Sequence, residues 1–476
     1  MIQDIISQDK IERISPSMEF HIWKRKFLLV VIDFVILLSA LFFYYKSQND
    51  QLNFKEFVLQ NYIGILYALS LYWFLSIVFN LYNLEYINKT RKVLPLVFFI
   101  GILFTVTFIF TPIITPYLPK QRIYIFGLVI GFTFTLALWR VIYTTIIHTR
   151  LFLKNIIILS SNEYDNAFIT KVKHSIEGSN FQNGYRIQRV YTIPEDSKSI
   201  DNLARTMVKI TSQNLIDSIV ILDTNHENLS EKLNSSLIKA TQFGVNVQTY
   251  LKLYEETKEA LPLILAGRQF YSIFPISKYN TNYIYLLWSR TLNIIFSIFG
   301  LILTVILIPI ISMINIFANK GPLFYSQIRV GKGGKEFKIT KFRSMLVDAE
   351  KHGAKMSTKG DSRITSFGKI LRKFKIDELP QFWAVIRGDM SLIGPRPERK
   401  IFINQLEKEI PFYNARHIIK PGISGWAQVK YPYGENLHDS YKKLEYDLYY
   451  IKNRSIVLDI RIIFKTFSTV IFSNIH

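Results

Sequence analysis

The sequence predicts a mixed membrane protein with three parts: a four-helix transmembrane N-terminal bundle, an α/β Rossmann-like cytosolic domain, and a mainly α C-terminal domain with a re-entrant membrane helix and interfacial amphipathic helices. Of the 476 residues, 49% are hydrophobic, which excludes disorder and indicates a membrane. The 58 Lys and Arg against 36 Asp and Glu give a net charge of +22, which favours anionic partners. Because the chain has no cysteine, disulfides, Cys-ligated metals and thiol nucleophiles are excluded.

Four apolar runs occupy residues 27–147, which we assign to four transmembrane helices after a cytosolic tail at 1–26. Each run is close to the ~20 residues that cross a bilayer core of about 30 Å as a helix. The first run lacks a signal-peptide cleavage pattern and should stay in the membrane. Basic residues are more frequent on the side of the N-terminus, so that side should be cytoplasmic. The runs are Phe27 to Tyr45, Phe57 to Leu84, Val93 to Leu118 and Ile123 to Trp139.

Asp33 is the acidic residue within the first run. Acidic side chains inside a membrane either pair with a neighbour or belong to a transport path. We expect Asp33 to pair with a neighbouring helix, and a transport role is the alternative. Arg140 directly follows the fourth run and is assigned to its basic flank, so no second charge inside the runs supports a pore.

The sequence predicts a Rossmann-like domain at residues 148–268 and a linker at 269–285. Apolar runs typical of buried parallel strands alternate there with helical patterns. The turn after the first run reads Ser160-Ser161-Asn162-Glu163 and lacks the glycines of a dinucleotide site, so we do not expect NAD to bind here. We expect a structural or regulatory role, and a degenerate nucleotide site is the alternative. The strand candidates are Asn155 to Ser161, Tyr185 to Ile193, Asp217 to Leu222 and Val245 to Tyr250.

A fifth apolar segment, at 286–320, has no charge between Arg290 and Lys320. Pro309 removes a helical hydrogen bond within it, so a kink or a reversal is expected. Both flanks are basic, which places both ends in the cytoplasm, as in a re-entrant helix. The alternative is a kinked fifth span that puts the C-terminal third on the outside.

Residues 321–476 form the C-terminal domain, which begins with strong positive charge. From Lys320 to Lys400 there are 19 basic and 8 acidic residues, a net of +11. No nucleic-acid-binding signature accompanies this charge, so phosphates at a lipid surface are favoured over nucleic acid. Between Ile364 and Phe374, apolar residues at helical spacing alternate with Lys and Arg, which predicts a helix among lipid headgroups or one packed on the core. The glycine-rich turn Gly331 to Lys335 predicts a hairpin tip rather than a phosphate cradle.

An acidic pair, Asp377 and Glu378, follows that helix. Asp377 is placed to cap a new helix that tolerates Pro380 in its first turn and stops at Gly388. An ionised carboxylate beside basic residues, with a second acid able to hold a divalent cation, suits nucleophilic attack on phosphorus. Taken alone, such a pair is more often a helix cap and a solvated acid.

A series of short motifs accompanies this pair, in a fixed order from about residue 290 onwards: Gln327-x-Arg329-x-Gly331, Lys341-Phe342-Arg343-Ser344-Met345, Arg372 with Ile376-Asp377-Glu378-Leu379-Pro380-Gln381, Gly388-Asp389-Met390-Ser391, Gly394-Pro395-Arg396-Pro397, Lys420-Pro421-Gly422-Ile423-Ser424-Gly425-Trp426-Ala427-Gln428 and Tyr446-Asp447-x-Tyr449-Tyr450. With them the sequence resembles the bacterial sugar transferase family, the polyprenyl-phosphate hexose-1-phosphate transferases of the monotopic phosphoglycosyl transferase superfamily. The apolar N-terminal part and the Rossmann-like insert resemble the long-form members.

The resemblance implies a two-step transfer with Mg²⁺. Asp377 would attack the β-phosphate of a UDP-sugar, UMP would leave, and undecaprenyl phosphate would accept the phosphosugar as the first membrane step of exopolysaccharide, capsule or O-antigen synthesis. Asp377 and Glu378 would be catalytic and hold the metal. The implied setting is a homodimer in the bacterial inner membrane, multi-pass in the lipid bilayer, with its soluble domains facing the cytoplasm. The implied substrate-binding residues are Arg372, Arg396, Lys341, Arg343, Gln428, Lys420 and Asp447.

The residues alone leave other roles open. Arg396 could belong to a surface turn, Gln428 could close a loop by a hydrogen bond, and Asp447 could cap a helix. The second hypothesis for the whole chain is a non-catalytic membrane scaffold, or a regulator of polysaccharide assembly, that binds anionic lipid or nucleotide through the same basic surface.

Overall fold

The structure is a computed structural model with two compact units, Met1–Leu253 and Tyr254–His476. The predicted tail at 1–26 and the predicted linker at 269–285 lie largely outside the residues it describes. The described residues are 22–47, 53–79, 81–82, 90–111, 123–147, 154–161, 164–177, 185–213, 216–222, 230–265, 270, 274, 282–351, 353, 361–431 and 436–471.

Apolar helices form the beginning of the first unit: α1 (Ile22–Lys46), α2 (Phe54–Gln60), α3 (Tyr62–Val78), α4 (Thr90–Ile109) and α5 (Ile123–Ile147). By length and composition, α1 and α5 could each cross a membrane, and α2 with α3 could form one span bent by 83°. The apolar part of α4 is shorter, and the rest of the third predicted run lies in 112–122, outside the described residues. The apolar helices expected of a membrane protein are present, whereas a bundle of four spans stays a prediction.

A buried ion pair joins α1 to α5. The carboxylate of Asp33 accepts a hydrogen bond from the Arg140 guanidinium at 2.5 Å, and both side chains are fully buried. The hydroxyls of Tyr72 and Tyr82 donate to the same carboxylate oxygen at 2.9 and 3.0 Å. The predicted pairing of Asp33 is confirmed. The assignment of Arg140 to a basic flank is wrong, because α5 continues to Ile147 and carries Arg140 inside the helical packing.

We expect loss of one partner of this pair to destabilise the bundle strongly. Asp33→Asn leaves the Arg140 charge buried without its carboxylate, at a cost of about 3–5 kcal/mol. The double variant Asp33→Leu, Arg140→Met removes both charges and should be much closer to the wild type. Thermal unfolding in detergent, followed by circular dichroism, measures both variants. A single variant as stable as the double one would contradict a buried ion pair.

A parallel sheet with strand order β2-β1-β3-β4 follows in the first unit. Strand β1 is paired on both sides, and its residues Ile156 to Leu159 are almost fully buried, as is usual for a central parallel strand. The four predicted strands are confirmed, while residues 162–163 of the turn after β1 lie outside the described residues. The elements are β1 (Lys154–Ser161), α6 (Asn166–Glu177), β2 (Tyr185–Ile193), α7 (Ser197–Ser212), β3 (Ser218–Ile221), α8 (Glu231–Gln242), β4 (Asn246–Thr249) and α9 (Tyr250–Lys258).

The described part of the second unit is mainly helical. Strands β5 and β6 form an antiparallel hairpin whose tip is Gly331 to Lys335, as predicted, and the short strands β7 and β8 pair in parallel. The elements are α10 (Tyr283–Ala318), β5 (Phe324–Val330), β6 (Glu336–Phe342), α11 (Ser366–Lys373), the 3₁₀ helix Ile376–Gln381, α12 (Phe382–Arg387), β7 (Ser391–Ile393), α13 (Lys400–Glu409), the 3₁₀ helix Tyr413–Ile418, β8 (Gly422–Ser424), α14 (Trp426–Lys430), α15 (Leu437–Lys452) and α16 (Ile456–Ile471).

Helix α10 has its polar side inside and its apolar side outside. The assigned helix is 36 residues long and includes Pro309, and by length and composition it could cross a membrane. The Asn293 amide donates to Ser391 at 3.0 Å, and Gly300 lies directly against the Phe382 ring. The buried residues are Tyr285, Asn293, Ser297, Gly300, Thr304, Ile311 and Asn315, and the exposed ones include Leu287, Phe299, Ile302, Val305, Ile306, Ile310, Met313 and Phe317.

The second unit also contains residues that the sequence assigned to the Rossmann-like domain at 148–268. The Tyr254 hydroxyl donates to Glu445 at 2.9 Å, and the Leu261 amide donates to the Glu445 carbonyl at 3.0 Å. The compact units divide between Leu253 and Tyr254, within α9. The segment from Tyr254 to Leu265 therefore packs with the C-terminal helices.

Candidate active site

A tight reversal of the chain presents the acidic pair. Lys375 follows α11 in the left-handed region, with φ of 54°, and the 3₁₀ helix begins at the next residue. Asp377 consequently lies within the first turn of that helix and is not its N-cap, which corrects the sequence prediction. The predicted stop at Gly388 is confirmed, since Gly388 takes φ of 90° directly after α12.

Apolar residues on both sides of the pair anchor this short helix. Ile376 and Leu379 pack in a cluster with Ile311 of α10, Phe342 of β6 and Leu371 of α11. Elements on three sides therefore fix the backbone of the two acids. Asp377 and Glu378 are both buried.

Two cations from separate elements hold Glu378. The Lys341 ammonium of β6 donates to its Oε1 at 3.0 Å, and the Arg396 guanidinium, from the turn after β7, donates to the same oxygen at 3.2 Å. Burial alone would raise the pKa of Glu378, but the charges of Lys341, Arg396 and Lys375 hold this pKa far below its usual range. Glu378 is therefore ionised at all physiological pH values.

Asp377 is in a different electrostatic situation. Burial, together with the neighbouring charge of Glu378, raises its pKa, and the charges of Lys341, Arg372 and Arg396 offset only part of this. Within the part of the chain that the structure describes, no hydrogen bond to the Asp377 carboxylate is found. Two adjacent carboxylates with pKa values moved in opposite directions are typical of a catalytic pair with divided roles.

Arg372 lies at the C-terminal end of α11, beside the acidic pair. Its Nε donates to the Ser344 hydroxyl at 2.8 Å, and its charge lowers the pKa of Asp377. The structure thus brings together Asp377, Glu378, Arg372, Arg396 and Lys341 out of the residues that the sequence predicted.

Arg343 has a different environment, although it is only two residues from Lys341. Its side chain is buried, donates to the Pro322 carbonyl at 2.7 Å, and also contacts Asn319 and the Met345 carbonyl. It fastens the end of α10 to the end of β6. Lys420 is exposed and lies near Gly388, and no hydrogen bond to either acid is found for it among the described residues.

Gln428 and Asp447 are also outside the acidic cluster. The Gln428 amide nitrogen donates to the Ile423 carbonyl at 3.3 Å, and its buried Oε1 has no partner among the described residues. Asp447 is buried and accepts a hydrogen bond from Arg416 at 3.0 Å.

Arg416 is a residue of this site that sequence reasoning missed. The same nitrogen that binds Asp447 also donates to the backbone carbonyl of Arg396 at 2.9 Å, and the other terminal nitrogen contacts the Tyr413 hydroxyl. Arg416, held by Asp447, thereby fixes the backbone of Arg396 through its carbonyl. No sequence signal marks Arg416, because a buried arginine has the same local pattern as an exposed one.

The acidic pair offers carboxylate oxygens of the kind that Mg²⁺ takes as ligands. Among the described residues there is no group of three or more His, Cys, Asp or Glu that could hold a metal by itself. Mg²⁺ commonly takes one or two carboxylates and completes its octahedral shell with water and substrate phosphates. The hard oxygens of Asp377 and Glu378 suit that role and do not suit a closed structural zinc site.

Comparison with known proteins places this site in a family. The model of the bacterial sugar transferase family matches residues 284–473. An uncharacterized sugar transferase of Bacillus subtilis (strain 168) is 39% identical over 156 residues, which are 32% of this chain and 71% of that protein. The chain belongs to the bacterial sugar transferase family. The family match contains the acidic pair and all of the cations around it.

Two further relatives of this chain have specific names. The UDP-N-acetylgalactosamine-undecaprenyl-phosphate N-acetylgalactosaminephosphotransferase of Aeromonas hydrophila is 54% identical over 153 residues, 32% of this chain and 36% of the relative. The UDP-glucose:undecaprenyl-phosphate glucose-1-phosphate transferase of Xanthomonas campestris pv. campestris is 48% identical over 153 residues, 31% of each chain. The likeness thus covers about a third of these two proteins.

We expect a pH dependence from Asp447, whose pKa burial raises from 3.8 to about 6, with the charge of Glu398 adding to this and those of Arg416 and Lys443 opposing it. Between these pH values the folded chain binds more protons at Asp447 than the unfolded chain, so stability falls as pH rises. Asp447→Asn removes this titration. The stability of the wild type relative to the variant should therefore fall by at most about 3 kcal/mol up to pH 6 and stay level above it.

Unfolding midpoints of both proteins, measured in the same detergent across this pH range, test the expectation. A difference between wild type and variant that does not change with pH would contradict it.

Proposed function

We propose that the protein transfers a sugar-1-phosphate from a UDP-sugar to undecaprenyl phosphate and releases UMP. The observation that carries the proposal is the buried pair Asp377 and Glu378 within the segment shared with the family. Lys341 and Arg396 bind Glu378, and the charge of Arg372 acts on Asp377. Relatives named for this transfer support it. In the cell the reaction would be the first membrane step of exopolysaccharide, capsule or O-antigen synthesis.

The reaction would take place in two displacements at one phosphorus atom. A carboxylate oxygen of Asp377 attacks the β-phosphorus of the UDP-sugar, the bond to the bridging oxygen breaks, and UMP leaves with that electron pair. The phosphosugar is then an acyl phosphate on Asp377. A phosphate oxygen of undecaprenyl phosphate attacks the same phosphorus, and the Asp377 carboxylate is released unchanged.

The residues around the acids have matching roles. The raised pKa of Asp377 makes its carboxylate more basic than a free aspartate, and the depressed pKa of Glu378 keeps that side chain anionic for a cation. Mg²⁺, when bound by Asp377 and Glu378, would neutralise charge on the substrate phosphates. The guanidinium groups of Arg372 and Arg396 suit phosphate oxygens, since their planar forks donate two parallel hydrogen bonds.

The other predicted substrate-binding residues lie outside the acidic cluster, and the geometry gives them less support. The unpartnered Oε1 of Gln428 is an acceptor that suits an N–H group such as that of uracil. Lys420 is exposed and free to meet a phosphate. Arg343 and Asp447 are engaged with protein groups, and we assign both to support of the site rather than to substrate binding.

The arrangement of α10 supports a re-entrant placement in the membrane. Its buried stripe runs from Asn293 to Ile311 and Asn315 and contacts the rest of the second unit over about 33 Å at 1.5 Å per residue. A helix that crossed a core of about 30 Å would have no room for a polar domain along that length. Ile370 and Phe374 of the α11 region are exposed beside Lys369 and Lys373, as on a helix among headgroups.

This placement keeps both ends of α10 and the active site on the cytoplasmic side of the bacterial inner membrane, where a UDP-sugar is available. A homodimer stays part of the proposal on family likeness. The scaffold hypothesis differs in one respect, because it requires no chemistry at Asp377.

We expect Asp377→Asn to abolish release of UMP from a UDP-sugar, because an amide cannot form the acyl phosphate. The measurement is UMP formed by purified protein with Mg²⁺ and undecaprenyl phosphate in detergent. Asp201→Asn is the matched control, since Asp201 forms a partly exposed ion pair with Lys232 in the first unit and should leave the rate unchanged. Undiminished release from Asp377→Asn would remove the nucleophile assignment, whereas absence of UMP release from the wild type would favour the scaffold.

We also expect a dependence on a divalent cation that acts through Glu378. Removal of Mg²⁺ with a chelator should stop UMP release, and Glu378→Gln should require at least about tenfold more Mg²⁺ for half-maximal rate, since a carboxylate ligand is lost. A titration of rate against free Mg²⁺ measures this. An unchanged titration curve for Glu378→Gln would exclude Glu378 as a ligand.

A further inference from the structure

A segment that precedes the family match packs into the second unit. The match begins at residue 284, whereas the segment covers Tyr254 to Leu265. Besides its contacts with Glu445, this segment places Glu255 against the Lys452 ammonium of α15. It is therefore held by side chains and backbone and is not a loose connection.

Glu259 makes the central contacts of this segment. Its backbone takes the left-handed region, with φ of 53°, and its carbonyl accepts a hydrogen bond from the Trp426 indole at 2.9 Å. Its carboxylate forms ion pairs with Lys430 of α14 at 2.7 Å and with Arg461 of α16 at 2.8 Å. Burial opposes ionisation of this acid, but the charges of Lys430 and Arg461 lower its pKa to about 2.

The same two cations lie against Trp426, which is fully buried. The Lys430 ammonium is 5.0 Å and the Arg461 guanidinium 5.2 Å from the indole ring centre, and the Lys465 ammonium is 5.3 Å from it. Such distances permit cation–π attraction. Glu259 supplies the negative charge that allows several cations to gather around one ring.

From Trp426 a continuous set of contacts leads to the acidic pair. Gly425, directly before it, packs so closely on the chain that a Cβ there would be 2.3 Å from the Gly394 carbonyl. The Gly394 amide donates to the Ser424 carbonyl and the Gly422 amide to the Pro395 carbonyl, both at 2.9 Å.

Arg396 is the next residue after Pro395, and it donates to Glu378 at 3.2 Å. The turn that presents this guanidinium is therefore fastened to β8 and α14 on one side and to Glu378 on the other.

We propose that Glu259 is a positioning residue of the transferase site. It clamps Trp426 and thereby holds the turn between β8 and α14 against β7, which fixes Arg396 at Glu378. The functional scaffold of this chain then begins before the family match, at about residue 254. The activity part of this proposal rests on the proposed function, whereas the structural part does not.

Hydrogen exchange on the full chain in detergent tests the structural part. In Glu259→Gln the partly buried cations Lys430 and Arg461 lose their counter-charge, so the amides of Gly394 and Gly422 should exchange about tenfold faster or more. Glu256→Gln is the matched control, since Glu256 is exposed three positions away and should change nothing. Peptides from β1 serve as an internal reference and should keep their exchange rates.

Kinetics test the positioning role. If Arg396 is loosened, KM for the UDP-sugar should rise in Glu259→Gln while the control variant stays at wild-type values. Trp426→Phe is the second variant, because it removes only the indole donor and keeps a buried ring. It should give the same local increase in exchange and the same direction in KM.

Each outcome has a definite meaning. Local exchange and KM that rise together support the proposal. Unchanged exchange at Gly394 and Gly422 overturns it, and so does faster exchange with unchanged kinetics, which would make the contacts mere packing. If Glu259→Gln unfolds the whole chain, Trp426→Phe decides by the same two criteria. If the wild type released no UMP, the proposed function would fail, whereas the exchange experiment would still test the clamp.

Discussion

The ion pairs of Glu378 with Lys341 and Arg396 are the constraint on which the second unit depends. A carboxylate with so little solvent contact costs several kcal/mol unless cations are held against it. Those cations come from β6 and from the turn after β7, so the hairpin, the reversal at Lys375 and the β7–β8 pair must all be in register for one oxygen atom to be satisfied. Asp377 is buried beside this ion pair, and no hydrogen bond to its carboxylate is found among the described residues.

Two sites with buried acidic side chains illustrate two uses of buried charge. Asp33 and Arg140 neutralise each other within the apolar helices, so the pair has no net charge, as is usual for a structural ion pair. Around Asp377 and Glu378, by contrast, there are more cations than acids. The cations are Lys341, Arg372, Lys375 and Arg396. A buried site with surplus positive charge is complementary to a diphosphate.

Local patterns predicted much of this fold. The apolar runs, the four parallel strands, the hairpin tip and the stop at Gly388 follow from periodicity or from the conformational freedom of glycine. The expected roles of the acidic pair came from motifs that resemble those of a family. The structure adds that both acids are buried and that Glu378 is ion-paired. Lys375 in a left-handed conformation has no sequence signal, and it moved Asp377 from the cap position into the helix.

The features that were missed depend on contacts between distant residues. Arg140 follows an apolar run directly, and only the packing of α1 on α5 decides that it is interior rather than flanking. Arg416 and Asp447 are 31 positions apart, and Glu259 and Trp426 are 167 apart. Periodicity within one segment carries no information about such pairs.

The outward apolar surface of α10 has a consequence for how substrates would meet. In the proposed re-entrant placement, α10 could not leave the bilayer without exposing Phe299, Val305 and Phe317 to water, so the unit would be confined to diffusion within one leaflet. The protein would then meet a lipid acceptor by lateral diffusion in the membrane plane, whereas a nucleotide donor would reach it by diffusion from solution. Encounter with the lipid would depend on its surface density rather than on its concentration in solution.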